Sequence, residues 1–175
     1  LFKVQAGELW LLKIIDSSGK SQVQDFTPFG EKYIFSACNV LGCEPWITDG
    51  TPAGTTLPVN LNLIGDSNPQ VYTIFDWPIY FAANDGVHGV ELWRTDGTEV
   101  GTVLVKNIGI ENDSLLPLRL INGDPHDLTV FGDHLYFVAN DVDYQGYGTG
   151  VELWRSDGTE ARTVIVKNVA IEDPN

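Results

Sequence analysis

The chain has 175 residues, enough for one domain of ordinary size with a sizeable core, and its 43% hydrophobic and 19% charged residues are typical of a globular protein. Its 24 acidic and 10 basic residues give a formal net charge of −14, which argues against nucleic-acid binding and against binding to an anionic membrane surface. The charge favours an extracellular or saline setting, or cation binding, and solubility alone explains it equally well. No run of about 18 apolar residues predicts a membrane-spanning segment.

The N-terminal segment, residues 1–16, is predicted to form the last two strands of an incomplete repeat. Residues 1–4 resemble residues 92–95, and residues 11–15 resemble residues 104–108. The chain starts without Met and without a signal-like segment, so we expect a processed chain or a piece of a longer one.

Three longer segments follow, and each begins with a predicted hairpin. The predicted strand pairs are 26–29 with 32–37, 72–75 with 79–83, and 128–131 with 134–139. A variable loop and a second predicted strand pair follow each hairpin. The segments 17–62, 63–110 and 111–175 therefore each predict four short antiparallel strands.

The second strand pair contains the most regular motif of the chain. The sequence Glu-Leu-Trp-Arg-Thr-Asp-Gly-Thr at 91–98 returns almost unchanged at 152–159, and a looser copy occupies 44–51. Its tryptophans, Trp46, Trp93 and Trp154, are 47 (93 − 46) and 61 (154 − 93) residues apart. A period of roughly 40–60 residues indicates a repeat architecture, and four strands per repeat are typical of one β-propeller blade. The predicted fold is therefore all-β, with about three and a half blades.

The aspartates of the motif, Asp49, Asp96 and Asp157, are predicted to be structural. Asp-Gly between two apolar runs is a strong hairpin signal, and an Asp side chain can bind backbone N–H groups two residues further on. A catalytic Asp is needed once per site and not once per repeat. The three tryptophans stand on predicted strands and are expected to be blade core rather than exposed sugar platforms.

The motif also carries a family resemblance. Gly-x-Glu-Leu-Trp-x-x-Asp-Gly-Thr, followed by Gly-Thr and a Val-x-Val-Lys-Asn-Ile strand, resembles the ELWxxDGT repeat family of large secreted bacterial proteins. The aspartate turns also resemble the Asp-box of sialidase-type propellers, whose box is structural. The first copy departs from the pattern, because Pro45 replaces Leu and Pro58 interrupts its last strand. Neither resemblance brings catalytic residues with it.

Cys38 and Cys43 are the two cysteines of the chain, and they flank the variable loop of the first repeat. A disulfide between them would indicate an oxidising compartment and would stiffen the loop locally. The alternative is two unpaired thiols.

The long loop of the third repeat contains the candidate metal ligands. Asn140, Asp141 and Asp143 offer the hard oxygen atoms that Ca²⁺ prefers, and calcium is the one cofactor that the sequence brings forward. The alternative is that these side chains cap a turn.

Propellers close with about four to eight blades, so three and a half leave open edges. Either blades are missing from this chain, or another copy or subunit completes the packing. We therefore expect protein subunits or further blades as partners.

The leading interpretation is a non-enzymatic structural or binding module at an extracellular, cell-surface or periplasmic location, serving adhesion or the assembly of a larger complex. One alternative is a glycan-processing propeller with two carboxylates about 5–10 Å apart that break the repeat; Asp76, Glu111 and Asp143 are such departures. The other is a lectin-like propeller that binds surface glycans.

Overall fold

The computed structural model of the chain describes residues 1–109, 121–142 and 148–168. These residues are all-β, as predicted, and their strands form four antiparallel sheets. The described residues contain no helix that is long and apolar enough to cross a membrane.

The N-terminal sheet is a hairpin of β1 (Phe2–Gln5) and β2 (Glu8–Leu11). Its turn consists of Ala6 and Gly7, both at positive φ (54° and 83°), and a two-residue hairpin turn of this kind needs positive φ at both positions. Because the turn is so short, the second strand begins three residues before the predicted 11–15.

The three sheets after the hairpin are numbered first, second and third in chain order. The first sheet has three strands: β3 (Gln24–Phe29), β4 (Lys32–Asn39) and β5 (Gly42–Thr48). Where a fourth strand was expected, there is a single bridge between Ile47 and Thr56. Pro58 follows two residues later, and because proline has no backbone N–H it cannot continue the ladder.

The second and third sheets have the four strands predicted for a repeat, paired in chain order. The second contains β6 (Gln70–Ile74), β7 (Ile79–Asn84), β8 (Val90–Thr95) and β9 (Val103–Lys106), and the third contains β10 (His126–Phe131), β11 (His134–Asn140), β12 (Val151–Ser156) and β13 (Val164–Lys167). A short 3₁₀ helix, Glu160–Arg162, lies between β12 and β13. The predicted divisions after residues 16 and 62 fall between sheets, and the division after residue 110 lies outside the described residues.

The sheets pack face to face in chain order, with their first strands adjacent: β3 contacts β6, and β6 contacts β10. Ile34 and Ile47 of the first sheet pack with Ile79 of the second. Leu92 and Val105 of the second sheet pack in a larger cluster, whose members from the third sheet are Leu135, Phe137, Ala139 and Trp154. Each interface between sheets is therefore an apolar core.

The predicted disulfide is confirmed. Cys38 on β4 lies directly opposite Cys43 on β5, and their sulfur atoms are bonded. The bond closes the loop between these two strands.

We expect reduction of this disulfide to lower the free energy of unfolding by no more than about 2 kcal/mol, because the sequence separation of its cysteines is only 5. Urea unfolding with and without dithiothreitol measures the difference. A double variant, Cys38→Ser with Cys43→Ser, should not respond to the reductant. Unfolding of the wild-type chain by reductant alone would show that the bond has a global role.

Candidate functional site

The aspartate of each motif closes the turn that follows its strand. Oδ1 of Asp96 accepts hydrogen bonds from the backbone N–H of Thr98 (2.9 Å) and from its hydroxyl (2.7 Å). The Thr98 hydroxyl in turn accepts from Gly101 N–H, and the hydroxyls of Thr95 and Thr102 bind each other across the turn at 2.7 Å. The carboxylate is therefore part of a closed hydrogen-bond network.

The same bonds to the aspartate occur at the other two copies. Asp49 accepts from Thr51, and Asp157 accepts from Thr159, with matching distances to the hydroxyl of 2.7 Å. The threonine hydroxyl bond is the largest cause that lowers the pKa of all three aspartates below the ordinary range. The three carboxylates are ionised acceptors on the surface of the protein, each engaged within its own turn.

A buried glutamate at the opposite end of the same strand joins one sheet to the next. Oε2 of Glu91 accepts from Ile108 N–H at 2.8 Å, and Oε1 accepts from Gly109 and Gly123 N–H, both at 3.0 Å. Ile108 and Gly109 follow the last strand of the second sheet, whereas Gly123 precedes the first strand of the third. A Cβ atom at Gly123 would lie 2.6 Å from Glu91 Oε2, so glycine permits this close approach.

The equivalent Glu44 has the same role between the first and second sheets. Its Oε2 accepts from Leu61 N–H at 2.9 Å and from the Ser67 hydroxyl at 2.8 Å. Glu152, the third copy, is equally buried. The sequence contained the signal for this role, because a glutamate precedes every motif tryptophan by two residues, but its contact with the next sheet was not predicted.

Burial changes the protonation of Glu91 and Glu44. It raises the pKa of Glu91 to about 7, against the lowering effect of the three backbone N–H groups, and it also raises the pKa of Glu44. Glu91 is therefore protonated more readily in the folded chain than in the unfolded chain.

Two of the candidate calcium ligands lie where β11 ends: Asn140 is its last residue, and Asp141 follows it. Asp141 is buried, and its Oδ1 accepts from the N–H groups of Thr149 (2.6 Å) and Gly150 (2.9 Å). Both of its oxygens also bind the Thr149 hydroxyl, and Asn140 accepts from Val142 N–H at 3.1 Å. These bonds correspond to the turn-capping alternative. Asp143 lies outside the described residues, so calcium binding stays a prediction.

Metal-ligand clusters are absent from the described part of the chain, since no three His, Cys, Asp or Glu side chains gather there. The loop of the second sheet is also closed internally. Asp85 binds the His88 ring at 2.7 Å and accepts from two backbone N–H groups. Although burial alone would raise the pKa of Asp85, these hydrogen bonds outweigh it and hold the pKa below its ordinary value.

The first strand of each of the three sheets after the hairpin contains a β-bulge with an unusual backbone. The bulged residues Asp25, Val71 and Asp127 have positive φ values of 59°, 56° and 55°. Positive φ is rare for a β-branched residue such as Val71. Two residues later, a threonine hydroxyl donates to the carbonyl of the bulged residue in each case, at Thr27, Thr73 and Thr129. The strained geometry is therefore a property of the repeat and not of one special site.

The three motif tryptophans are buried, at equivalent positions in the three sheets. Trp46 packs with Phe35, Trp93 with Phe81, and Trp154 with Phe137. Within the described residues none of their indole nitrogens has a hydrogen-bond partner. These side chains therefore fill the spaces between sheets and do not form an exposed platform.

A polar cavity of about 190 Å³ opens between the first and second sheets, beside the disulfide. Its lining includes four amide residues, Gln22, Gln24, Asn68 and Gln70. Amide groups can both donate and accept hydrogen bonds, so this cavity suits a ligand rich in hydroxyl groups.

Neither a protein-family model nor a curated protein matches the chain. Among solved structures, the chain is similar to an α-L-arabinofuranosidase from Clostridium thermocellum ATCC 27405, with 16% identity and a TM-score of 0.38. The similarity covers 83% of this chain and 50% of that one, so the chain spans about half of that enzyme's length. A likeness this distant carries no argument about activity.

We expect the stability of the chain to fall as the pH rises from about 4.5 to 7. The pKa of Glu91 has its ordinary value of 4.5 in the unfolded chain and is about 7 in the folded chain. The stability that Glu91 contributes is therefore complete below pH 4.5 and is lost as the pH rises through 7. The expected loss is up to about 3 kcal/mol in the free energy of unfolding. Urea titrations across this range measure it.

The matched variants are Glu91→Gln and, at an exposed position of the same repeat, Glu99→Gln. Glu91→Gln should reduce the pH dependence and should also destabilise the protein, because its NH₂ group would face a buried N–H donor. Glu99→Gln should retain the wild-type pH dependence. An unchanged pH profile in Glu91→Gln would contradict the assignment.

Replacement of a motif tryptophan should destabilise the protein strongly. Trp93→Ala is expected to cost about 3–5 kcal/mol, whereas Trp93→Phe should cost much less, because the indole N–H makes no hydrogen bond within the described residues. Chemical denaturation measures both. The exposed Trp10 serves as the control, and Trp10→Ala should leave stability nearly unchanged. A mild effect of Trp93→Ala would favour a surface role for this side chain.

Proposed function

We propose that the chain is a non-enzymatic, extracellular structural or binding module built from β-propeller blades of the ELWxxDGT kind. Its role is to assemble into a larger complex or to attach to a surface. The observation that carries this proposal is the use of the repeated acidic residues: Asp49, Asp96 and Asp157 close turns, and Glu44 and Glu91 join neighbouring sheets. The residues that define the motif thus maintain the fold.

The distribution of the remaining carboxylates supports the same proposal. Asp76, one of the three that break the repeat, lies in the hairpin turn between β6 and β7, at the end of the sheet away from the variable loops. Glu111 and Asp143 lie outside the described residues. The disulfide supports an extracellular or periplasmic location, because such bonds persist in oxidising compartments.

A second candidate function is binding of glycans, and the amide-lined cavity beside the disulfide favours it. Sugars present many hydroxyl groups to which glutamine and asparagine side chains can both donate and accept. This function also requires no catalytic carboxylate pair.

Turnover and binding on the same glycan panel test both candidates. We expect the purified chain to release no sugar from aryl glycosides or polysaccharides. Sugar release that is lost when a carboxylate is replaced by its amide would overturn the non-enzymatic proposal. Polysaccharide binding without release, weakened by Gln70→Ala but not by replacement of the exposed Gln5, would favour the glycan-binding candidate.

A further inference from the structure

The second sheet shows how an interior sheet of this protein is covered. Its forward face, which we define as Tyr80, Ala82, Leu92 and Val105, is turned towards the third sheet. Leu92 is 0% exposed and Val105 is 4% exposed, in a core shared with Phe137 and Trp154 of that sheet. A forward face is therefore completed by the next unit of the same repeat.

The third sheet has the same forward face, but no other sheet of the described residues covers it. Its members are Tyr136, Val138, Leu153 and Val166, and Val138 lies opposite Leu153 just as Ala82 lies opposite Leu92. Leu153 is 41% exposed and Val166 is 43% exposed. The third sheet therefore has apolar residues at the positions that are covered in the second sheet.

The N-terminal hairpin has the complementary surface. Its backward face, defined as Phe2, Val4, Leu9 and Leu11, consists of two cross-strand pairs, Phe2 with Leu11 and Val4 with Leu9. All four side chains are between 53% and 73% exposed.

The register of the hairpin identifies this surface as a backward face. Phe2 opposite Leu11 corresponds to Trp93 opposite Leu104 in the second sheet. Trp93 and Leu104 pack with Phe81 of their own sheet and with Leu61, which lies between the first and second sheets. Phe81 shares its face with Ile79, which packs on the first sheet. The other side of the N-terminal segment is already used, because Leu1 and Ile15 pack on the first sheet.

We propose that the forward face of the third sheet binds the backward face of the N-terminal hairpin of a second copy of this chain. The contact repeats the order of the internal interfaces, in which the forward face of one sheet receives the backward face of the next. It is a heterologous, head-to-tail interface, and it rests on the proposed assembly function. Each copy has a net charge of −14, so association strengthens as salt screens the repulsion.

Light scattering coupled to size exclusion, at 0.5 M salt, tests the contact on the 175-residue chain. The wild type should have a mass of two or more times 19.3 kDa. Leu153→Glu, which breaks the forward face, and Val4→Glu, which breaks the backward face, should each be monomeric. Val40→Glu, at an exposed loop position away from both faces, should assemble like the wild type.

Mixing the two monomeric variants gives the decisive result. Val4→Glu retains an intact forward face and Leu153→Glu retains an intact backward face, so the mixture should form a dimer with one copy of each. A wild-type chain that stays monomeric, a mixture that stays monomeric, or a Val4→Glu variant that dimerises with itself would each overturn the proposal. If Leu153→Glu does not fold, Val166→Glu takes its place.

The outcome is separate from that of the glycan panel. A monomeric chain without turnover would remove the second copy as the partner and leave the non-enzymatic module standing. Sugar release would overturn the module, whatever the mass of the chain.

Discussion

Apolar side chains on both faces of each sheet are the constraint on which this structure depends. In β7, Ile79, Phe81 and Ala83 point to one side, Tyr80 and Ala82 point to the other, and all five are buried. A strand of this kind is stable only between two covering layers. Each sheet of this kind therefore needs a neighbour on either side. The stability of the chain is then the sum of the intrinsic stability of each sheet and the stabilisation from each interface between neighbouring sheets.

Stacking of this kind creates a second problem, which the glutamates solve. Where the chain crosses from one sheet to the next, its backbone N–H groups are buried and have no strand to pair with, and an unpaired buried N–H is costly. Glu91 accepts three of these N–H groups from both sides of the crossing. The motif therefore has an acidic residue with a structural role at each end of its strand: the glutamate between sheets and the aspartate within one.

The sequence was sufficient to predict the strands and most of their pairing, because the repeat supplied several readings of the same pattern. Where one copy was ambiguous, as at Pro58, the other copies showed what had been lost. The bulges and the glutamate bonds could not be predicted in this way. Period-two alternation does not reveal an extra residue in a strand, and a glutamate two residues before a tryptophan gives no distance to a backbone N–H over 30 residues away. The blade count predicted open edges, but it did not identify Leu153 as an exposed side chain, since Leu92 and Leu153 have the same sequence context.

That equivalence links assembly to stability. Leu92 and Leu153 occupy the same position in nearly identical motifs, and they differ in whether another sheet covers them. Because coverage contributes to the stability of a sheet, the third sheet lacks, within the described residues, one of the two interface terms that stabilise the second sheet. A partner that binds the folded face alone supplies this term, and by mass action it stabilises the folded chain by an amount that grows with the logarithm of its concentration. Coverage of the apolar forward face would therefore strengthen the third sheet in the way that the third sheet strengthens the second.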